Sequence, residues 1–477
     1  MEFNSVLLAF VLIAVLLAAG MLMRMTIPFF QKYFIPTSLI AGLIGLLVSK
    51  EALGKLGAVI PGAAFLENGI YTEKVYETMR EIPEVAITII FASLFLGKKI
   101  PGIKKIWEIA GPQVAYGQTV SWAQYVVGLL LAIFLLKPVF DLPPIAGALI
   151  EIGFEGGPGT AAGMRGTFDA LDFPEGASLA LGLATVGILT GVITGIIIVN
   201  WGIKKGIAKQ AKKASELSER ERKGLYPEGK EKTAGELSTK TESIEGFTVN
   251  FLFIFVAIGL GMLLLKGLVL LEEATWGPAF DIEVIKHVPL FPMALLGGVA
   301  TQLLYSKFIP YKLIDKKVLA RIEGFSLDVL IVASVATLSI SAISENIMPF
   351  LILAGAGIAL NLAAFFLLAK RMMPEYWLER GVLQFGQSMG MTTTGLLLLQ
   401  IVDPEKETST LEGFGYKQIL FEPVVGGGLF TAASMPLIVQ FGPVALLIGT
   451  GVLFLIWLAI GLFYFGKKNS QRAQSEG

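Results

Sequence analysis

The sequence contains no cysteine and a single histidine, His287. The first absence excludes disulfides, iron–sulfur clusters and thiol catalysis, and the second excludes a histidine-rich metal centre. Charge is scarce as well. Asp, Glu, Lys and Arg make up 16% of the 477 residues, where an average soluble domain carries about 25%. The 38 basic and 38 acidic side chains cancel, so no basic excess points to a nucleic-acid partner. Apolar residues take the place of charge: 54% of the chain is hydrophobic, the mean hydropathy is +0.71, and there are 54 glycines. This is the composition of an all-α polytopic membrane protein whose helices pack closely or break.

A transmembrane helix needs about 20 apolar residues, fewer if neighbours bury it. Candidate spans fall at 6–23, 36–49, 85–97, 114–136 and 177–203, then at 247–265, 289–305, 328–343, 347–369, 419–439 and 444–465. The first lacks a basic leader and reads as a retained span. A polar stretch at 206–246 joins the halves as a solvated linker, and a polar tail begins at 467. Lys/Arg clusters at 98–105, 204–205, 312–321, 370–371 and 467–468 are expected in the cytoplasm, and 51–83, 137–143 and 266–288 outside. That places the N-terminus outside, with the linker and C-terminus cytoplasmic, in the cell inner (plasma) membrane. Parity then fails unless two further apolar segments dip in and return to the side they entered. These are 144–168, from outside, and 381–403, from the cytoplasm. The expected architecture is two inverted repeats, 1–205 and 247–441. Each has five transmembrane helices and one re-entrant hairpin, and an extra helix follows at 442–466.

Each hairpin contains a run that cannot continue a helix. In the first, Glu155 precedes Gly156-Gly157-Pro158-Gly159-Thr160; in a helix interior glycine costs about 1 kcal/mol and proline about 3. Unravelled backbone at membrane depth is tolerated only where protein buries it or water reaches it, and transporters place their solutes there. Pro158 suits a first helical turn and Thr160 can cap it. Backbone N–H groups at Gly157, Gly159 and Thr160 then favour an anionic group. The second run holds Gln387, Ser388, Gly390, Thr392, Thr393 and Thr394. Its hydroxyls suit a carboxylate or Na⁺, or else bond back to their own helix carbonyls. Glu155, Asn361 and Glu422 are candidates for a coupling cation, because ionisable groups at membrane depth are functional by default. Asn361 also fits a simple interhelical hydrogen bonder, and Glu422 an interfacial position. Glu151 lies one turn before Glu155. Arg165 fits either a carboxylate partner or an anchor at the outer end of the hairpin, the second being the expected role, and Gly187, Gly191 and Gly195 form a packing groove.

Gly386-x-Ser388-x-Gly390 matches the nucleophile-elbow pattern, but that motif needs a preceding strand and a histidine partner. No phosphate-binding Gly-x-x-x-x-Gly-Lys-[Ser/Thr] loop is present, so neither hydrolysis nor ATP-driven transport is expected.

At its hairpins the sequence resembles the glutamate:sodium symporter family of bacterial secondary transporters. The Gly156-Gly157-Pro158-Gly159-Thr160 run is similar to that family's Gly-Gly-His-Gly-Thr element, and 386–394 to its second Gly/Thr-rich element. Pro158 and Gln387 stand where the family has histidine. The resemblance implies Na⁺-driven uptake of glutamate or another small carboxylate or amino acid, by an elevator-type mechanism. Beyond Na⁺ as coupling ion no cofactor is expected. The expected partners are a small-molecule solute and membrane lipid, and a homodimer is an open alternative for the assembly. H⁺-coupled or uncoupled transport, or a channel, for a different organic anion is the alternative function.

Overall fold

The computed structural model describes residues 3–32, 35–55, 69–98, 103–208, 218–226, 228–229, 233–240, 242–280, 284–373, 375–403 and 408–466. Among them there is no strand; an isolated bridge joins Ser49 and Gly69. Six helices are long and apolar enough to cross a membrane, at Asn4–Thr26, Trp107–Phe140, Pro174–Lys204, Gly246–Ala274, Ile347–Met372 and Pro443–Phe465. The chain is built as a membrane protein. The basic tail from 467 lies outside the described residues, as does the 209–217 part of the linker.

The chain forms two compact units, and each draws on both halves of the sequence. The first comprises Met1–Lys99, Ala162–Leu181 and Glu219–Ser344. Its helices are α1 (Phe3–Thr26), α2 (Thr37–Leu47) and α3 (Glu73–Ser93) from the first half. The second half adds α8 (Gly246–Ala274), α9 (Leu290–Phe308) and α10 (Lys316–Ala336). Small residues set its packing. A β-carbon on Gly42 or Gly45 of α2 would lie 2.7 or 2.6 Å from Val335 or Ala336 of α10. On α9, one at Gly297 would lie 2.0 Å from the Ala257 carbonyl of α8, and one at Gly298 2.3 Å from the Ala92 carbonyl of α3. α1 packs on α2, and α3 on α10. Two of these helices depart from their sequence spans. α3 starts well before 85 because Thr72 and Glu73 open an amphipathic first half whose polar face is exposed. α10 starts well before 328 because Asp315 caps it, accepting a bond from the Lys317 N–H (2.6 Å).

The second unit comprises Ile100–Ala161, Gly182–Ser218 and Glu345–Gly477. From the first half it takes α4 (Ile103–Leu131) and two tight helical turns, Pro144–Ala148 and Glu151–Glu155. The start of α5 (Gly157–Gly163) also belongs to it; α6 (Arg165–Ala170) lies in the first unit, and α7 (Pro174–Lys204) runs from the first unit into the second. The second half contributes α11 (Ile347–Ala364), α12 (Trp377–Gln387), α13 (Thr392–Val402), α14 (Thr410–Phe421), α15 (Leu429–Phe441) and α16 (Pro443–Ala459). The segment read as one span over 419–439 is two helices. Glu422–Gly428 interrupts it, with left-handed backbone at Gly426 (φ +70°) and Gly427 (φ +101°).

Candidate binding site

Every site residue expected from the sequence falls in the second unit. The two glycine-rich runs are real breaks. In the first, the turn Glu151–Glu155 is widened, closing with the Gly156 N–H on the Glu151 carbonyl (2.8 Å). Gly157 then reverses the backbone at φ +73°, and Pro158 enters α5 in its first turn. α5 has only seven residues, so its dipole is slight. The left-handed conformation belongs to Gly157; Gly159 lies within α5 and is half-buried. Thr160 caps nothing. It lies inside the helix, 1% exposed, and its hydroxyl is without a partner.

In the second run α12 ends at Gln387, the chain passes through Ser388 to Met391 with Gly390 at φ +131°, and α13 begins at Thr392. The two helices lie side by side, because a β-carbon on Gly386 would be 2.5 Å from the Gly395 Cα. The breaks meet each other. A β-carbon on Gly157 would sit 2.0 Å from the Gly390 carbonyl oxygen. Behind them Gly187 and Gly191 of α7 make room for Met389, and Gly195 for Leu398, so the small-residue stripe is a packing seat. The Thr394 hydroxyl is buried without a partner and does not bond back to its helix. Thr392 is half-buried, and the Thr393 side chain lies outside the described residues.

α4 buries a run of polar side chains, two of which, Ser121 and Gln124, reach the first arm and the second break. Gln113, Gln118, Thr119, Ser121 and Gln124 are all at most 3% exposed. Gln124 donates to the Ser388 carbonyl (3.3 Å) and to Asn361 Oδ1 (3.3 Å). Asn361 donates to the same Ser388 carbonyl (3.0 Å) and to Gly357 of its own helix (3.0 Å). Asn361 thus serves as an interhelical hydrogen bonder that holds the second break.

Two carboxylates one turn apart have opposite surroundings. Glu151 is fully buried and accepts from the Tyr125 hydroxyl (2.6 Å), the Gly426 N–H (2.9 Å), the Thr431 hydroxyl (2.9 Å) and the Ser121 hydroxyl (3.3 Å). Glu155 is 4% exposed, and neither of its oxygens has a hydrogen-bond partner. The charged groups that act on it are Lys417, Glu151 and Glu422, with the Ser388 hydroxyl beside it.

Sequence reasoning missed Lys417 of α14. It is fully buried, donates to Gln387 Oε1 (2.8 Å), and lies 3.3 Å from the centre of the Phe421 ring. Gln387 in turn donates to Gln418 (3.4 Å), and Gln418 to Glu422. Two amides therefore link an ammonium to a carboxylate. Gln387 is a polar relay here, and Glu422, 9% exposed, is its far end. The signal available was a lone lysine among Phe414, Tyr416, Ile419, Leu420 and Phe421, just outside the apolar window. The α4 residues carried another: five uncharged polar side chains within 12 positions of an apolar helix.

Arg165 belongs to the first unit, on α6, near Arg80, Tyr76 and Asp169. No family model and no curated protein matches the chain.

Proposed function

We propose that the chain is an ion-coupled secondary transporter, a symporter that takes up a small carboxylate or amino acid with Na⁺. One observation carries this reading: a buried carboxylate, Glu155, with both oxygens unpartnered, adjoins two helix breaks that meet. Buried carboxylates are ordinarily paired or hydrogen-bonded. One left bare in a unit whose helix breaks also carry unsatisfied hydroxyls at Thr160 and Thr394 fits a place kept for a cation. A proton would serve the same carboxylate, which keeps H⁺ coupling as the second reading.

The packing supports two inverted repeats. Match α1, α2 and α3 with α8, α9 and α10. The α1–α2 pair then answers to α8–α9, and α2–α10 answers to α9–α3, with partners exchanged as a two-fold relation requires. In the second unit α4 and α11 both reach the Ser388 carbonyl, and α12 and α13 lie side by side as a re-entrant hairpin would. A division in which one unit carries every candidate ligand fits an elevator-type mechanism, in which that unit moves with its cargo. Glutamate remains the solute favoured by the family resemblance, with Lys/Arg bias setting the linker in the cytoplasm of an inner-membrane protein.

Uptake into proteoliposomes tests this. L-glutamate and a panel of small acids should accumulate with an inward Na⁺ gradient and not with choline. Equal uptake in choline at neutral pH, or none for any acid, would refute Na⁺ symport.

A further inference from the structure

Lys417 is the group that the transport reading leaves unused. A buried ammonium has three donors and no acceptor. Lys417 gives one hydrogen bond to Gln387 and offers the rest to the faces of Phe421 and, at 5.5 Å, Phe414. Gly117 of α4 makes the space, since a β-carbon there would lie 2.7 Å from Lys417 Cε. Among the described residues no carboxylate accepts a hydrogen bond from it. Glu155 lies around the same corner. A β-carbon on Gly426 would touch both the Phe421 ring (3.0 Å) and Glu155 Cγ (3.7 Å).

Charge accounting gives the pair a role. Four donors stabilise Glu151, and the Gln387–Gln418 relay ends on Glu422. Glu155 receives no hydrogen bond, and Lys417 reaches Glu422 only through the two amides; Glu155 and Glu422 are the carboxylates whose charges act on Lys417. A monovalent cation at Glu155 would neutralise one of the two carboxylates that act on Lys417. An anion approaching Lys417 then meets less repulsion and replaces that counter-charge in a dry interior, where an unbalanced charge is costly.

We propose that Lys417 is the receptor for the solute's carboxylate, made available when a cation occupies Glu155. Cation and monocarboxylate then favour each other's binding reciprocally, which is the thermodynamic core of symport. This rests on the transport reading and names the anion-binding residue and the order of its recruitment.

Calorimetry on the purified full chain, with acetate as the probe, tests it in Na⁺ and in choline. Wild type should bind acetate at least roughly tenfold more tightly in Na⁺, the order of a typical coupling between sites. E155Q mimics the neutralised carboxylate and should bind acetate equally in both salts. K417Q should lose about ten- to a hundredfold in affinity, the loss expected for one charge-assisted hydrogen bond. Because K417Q leaves Glu155 unbalanced and can fail to fold, the double variant E155Q/K417Q removes both charges together. It should fold and bind no acetate. Acetate binding by the double variant, a persisting Na⁺ requirement in E155Q, or no acetate binding by either wild type or E155Q would overturn the assignment. The transport reading fails separately. The full acetate pattern without any Na⁺-driven uptake of acids by wild-type liposomes would sink symport and leave Lys417 as an anion receptor.

Discussion

Gly157→Ala is the sharpest test of how the two breaks meet. Two costs fall on one methyl group. Gly157 has φ +73°, and a non-glycine residue in the left-handed region costs roughly 1–2 kcal/mol. The methyl would also lie 2.0 Å from the Gly390 carbonyl oxygen. That atom is backbone, so one break must shift, and overpacking of this kind costs about 1–3 kcal/mol. Together the loss should be about 2–5 kcal/mol of stability. Gly166→Ala is the matched control: its β-carbon would meet nothing within 4 Å, and replacing a helical glycine is worth roughly 0.5–1 kcal/mol in favour. The assay is the denaturation midpoint of purified protein in detergent, paired with uptake into liposomes. Gly157→Ala should lower the midpoint and abolish uptake, while Gly166→Ala keeps both. A Gly157→Ala protein with wild-type midpoint and uptake would show that the breaks do not abut.

Glu155→Gln should leave the protein folded and uncouple uptake from the Na⁺ gradient, with a smaller change for Glu422→Gln; unchanged Na⁺ dependence in Glu155→Gln liposomes would make Glu155 structural. Glu151→Gln should instead destabilise whatever the salt, because an amide N–H₂ would face donors, at about 1–3 kcal/mol for each group left unsatisfied; denaturant titration in Na⁺ and choline reads this. Burial pushes the Asp315 carboxyl up, but N–H bonds from Glu236, Lys317 and Val318 and the charge of Lys317 outweigh it and hold it below its ordinary value. Its stabilisation is then complete above the unfolded value of about 3.9 and is lost as pH falls through the lower folded value, so Asp315→Asn should flatten the acid-side fall of the midpoint. For orientation, a cysteine at Glu273 should be labelled from outside and one at Lys316 only after permeabilisation. Both positions are exposed, whereas Glu272 is buried and accepts N–H bonds from Val284, Ile285 and Lys286. Labelling of Lys316 in sealed cells would reverse the assigned topology.

The two breaks were legible because their cause is local. Paired glycines with a proline in the first run, and spaced glycines among Ser and Thr in the second, weaken a helix whatever surrounds them, and both breaks lie where the sequence put them. Which glycine turns left-handed was not legible, since Gly157 and Gly159 differ only in what approaches them. Lys417 escaped for a related reason. An apolar window treats a lysine as a boundary, and only the Phe421 ring, the Gly117 gap and Gln387 make burial tolerable. Phe421 lies one turn on along the same helix, but Gly117 is on α4 and Gln387 on α12. The interruption at Glu422–Gly428 was legible only at its start, where Glu422 and Pro423 break the span; the left-handed turns at Gly426 and Gly427 were not, since apolar residues on both sides averaged across them.

The contrast between Glu151 and Glu155 goes furthest toward function. The same residue type occurs twice on one arm, four positions apart, at equal depth in the protein. α4, the turn before α15 and α15 itself bring four donors to the first carboxylate, whereas the second has only the Ser388 hydroxyl nearby, outside hydrogen-bond geometry. Removing a carboxylate from water without partners costs several kcal/mol. Folding alone would be better served by a glutamine or a leucine at 155. The chain carries the means of satisfying a buried carboxylate within one turn and applies them only to Glu151. A bare Glu155, with an ammonium around the corner and two unsatisfied threonine hydroxyls on the breaks, is therefore a cost that a bound cation would recover. Such a site binds because the empty state is poor, and on this argument the apo protein should be measurably stabilised by Na⁺ in wild type and not in Glu155→Gln.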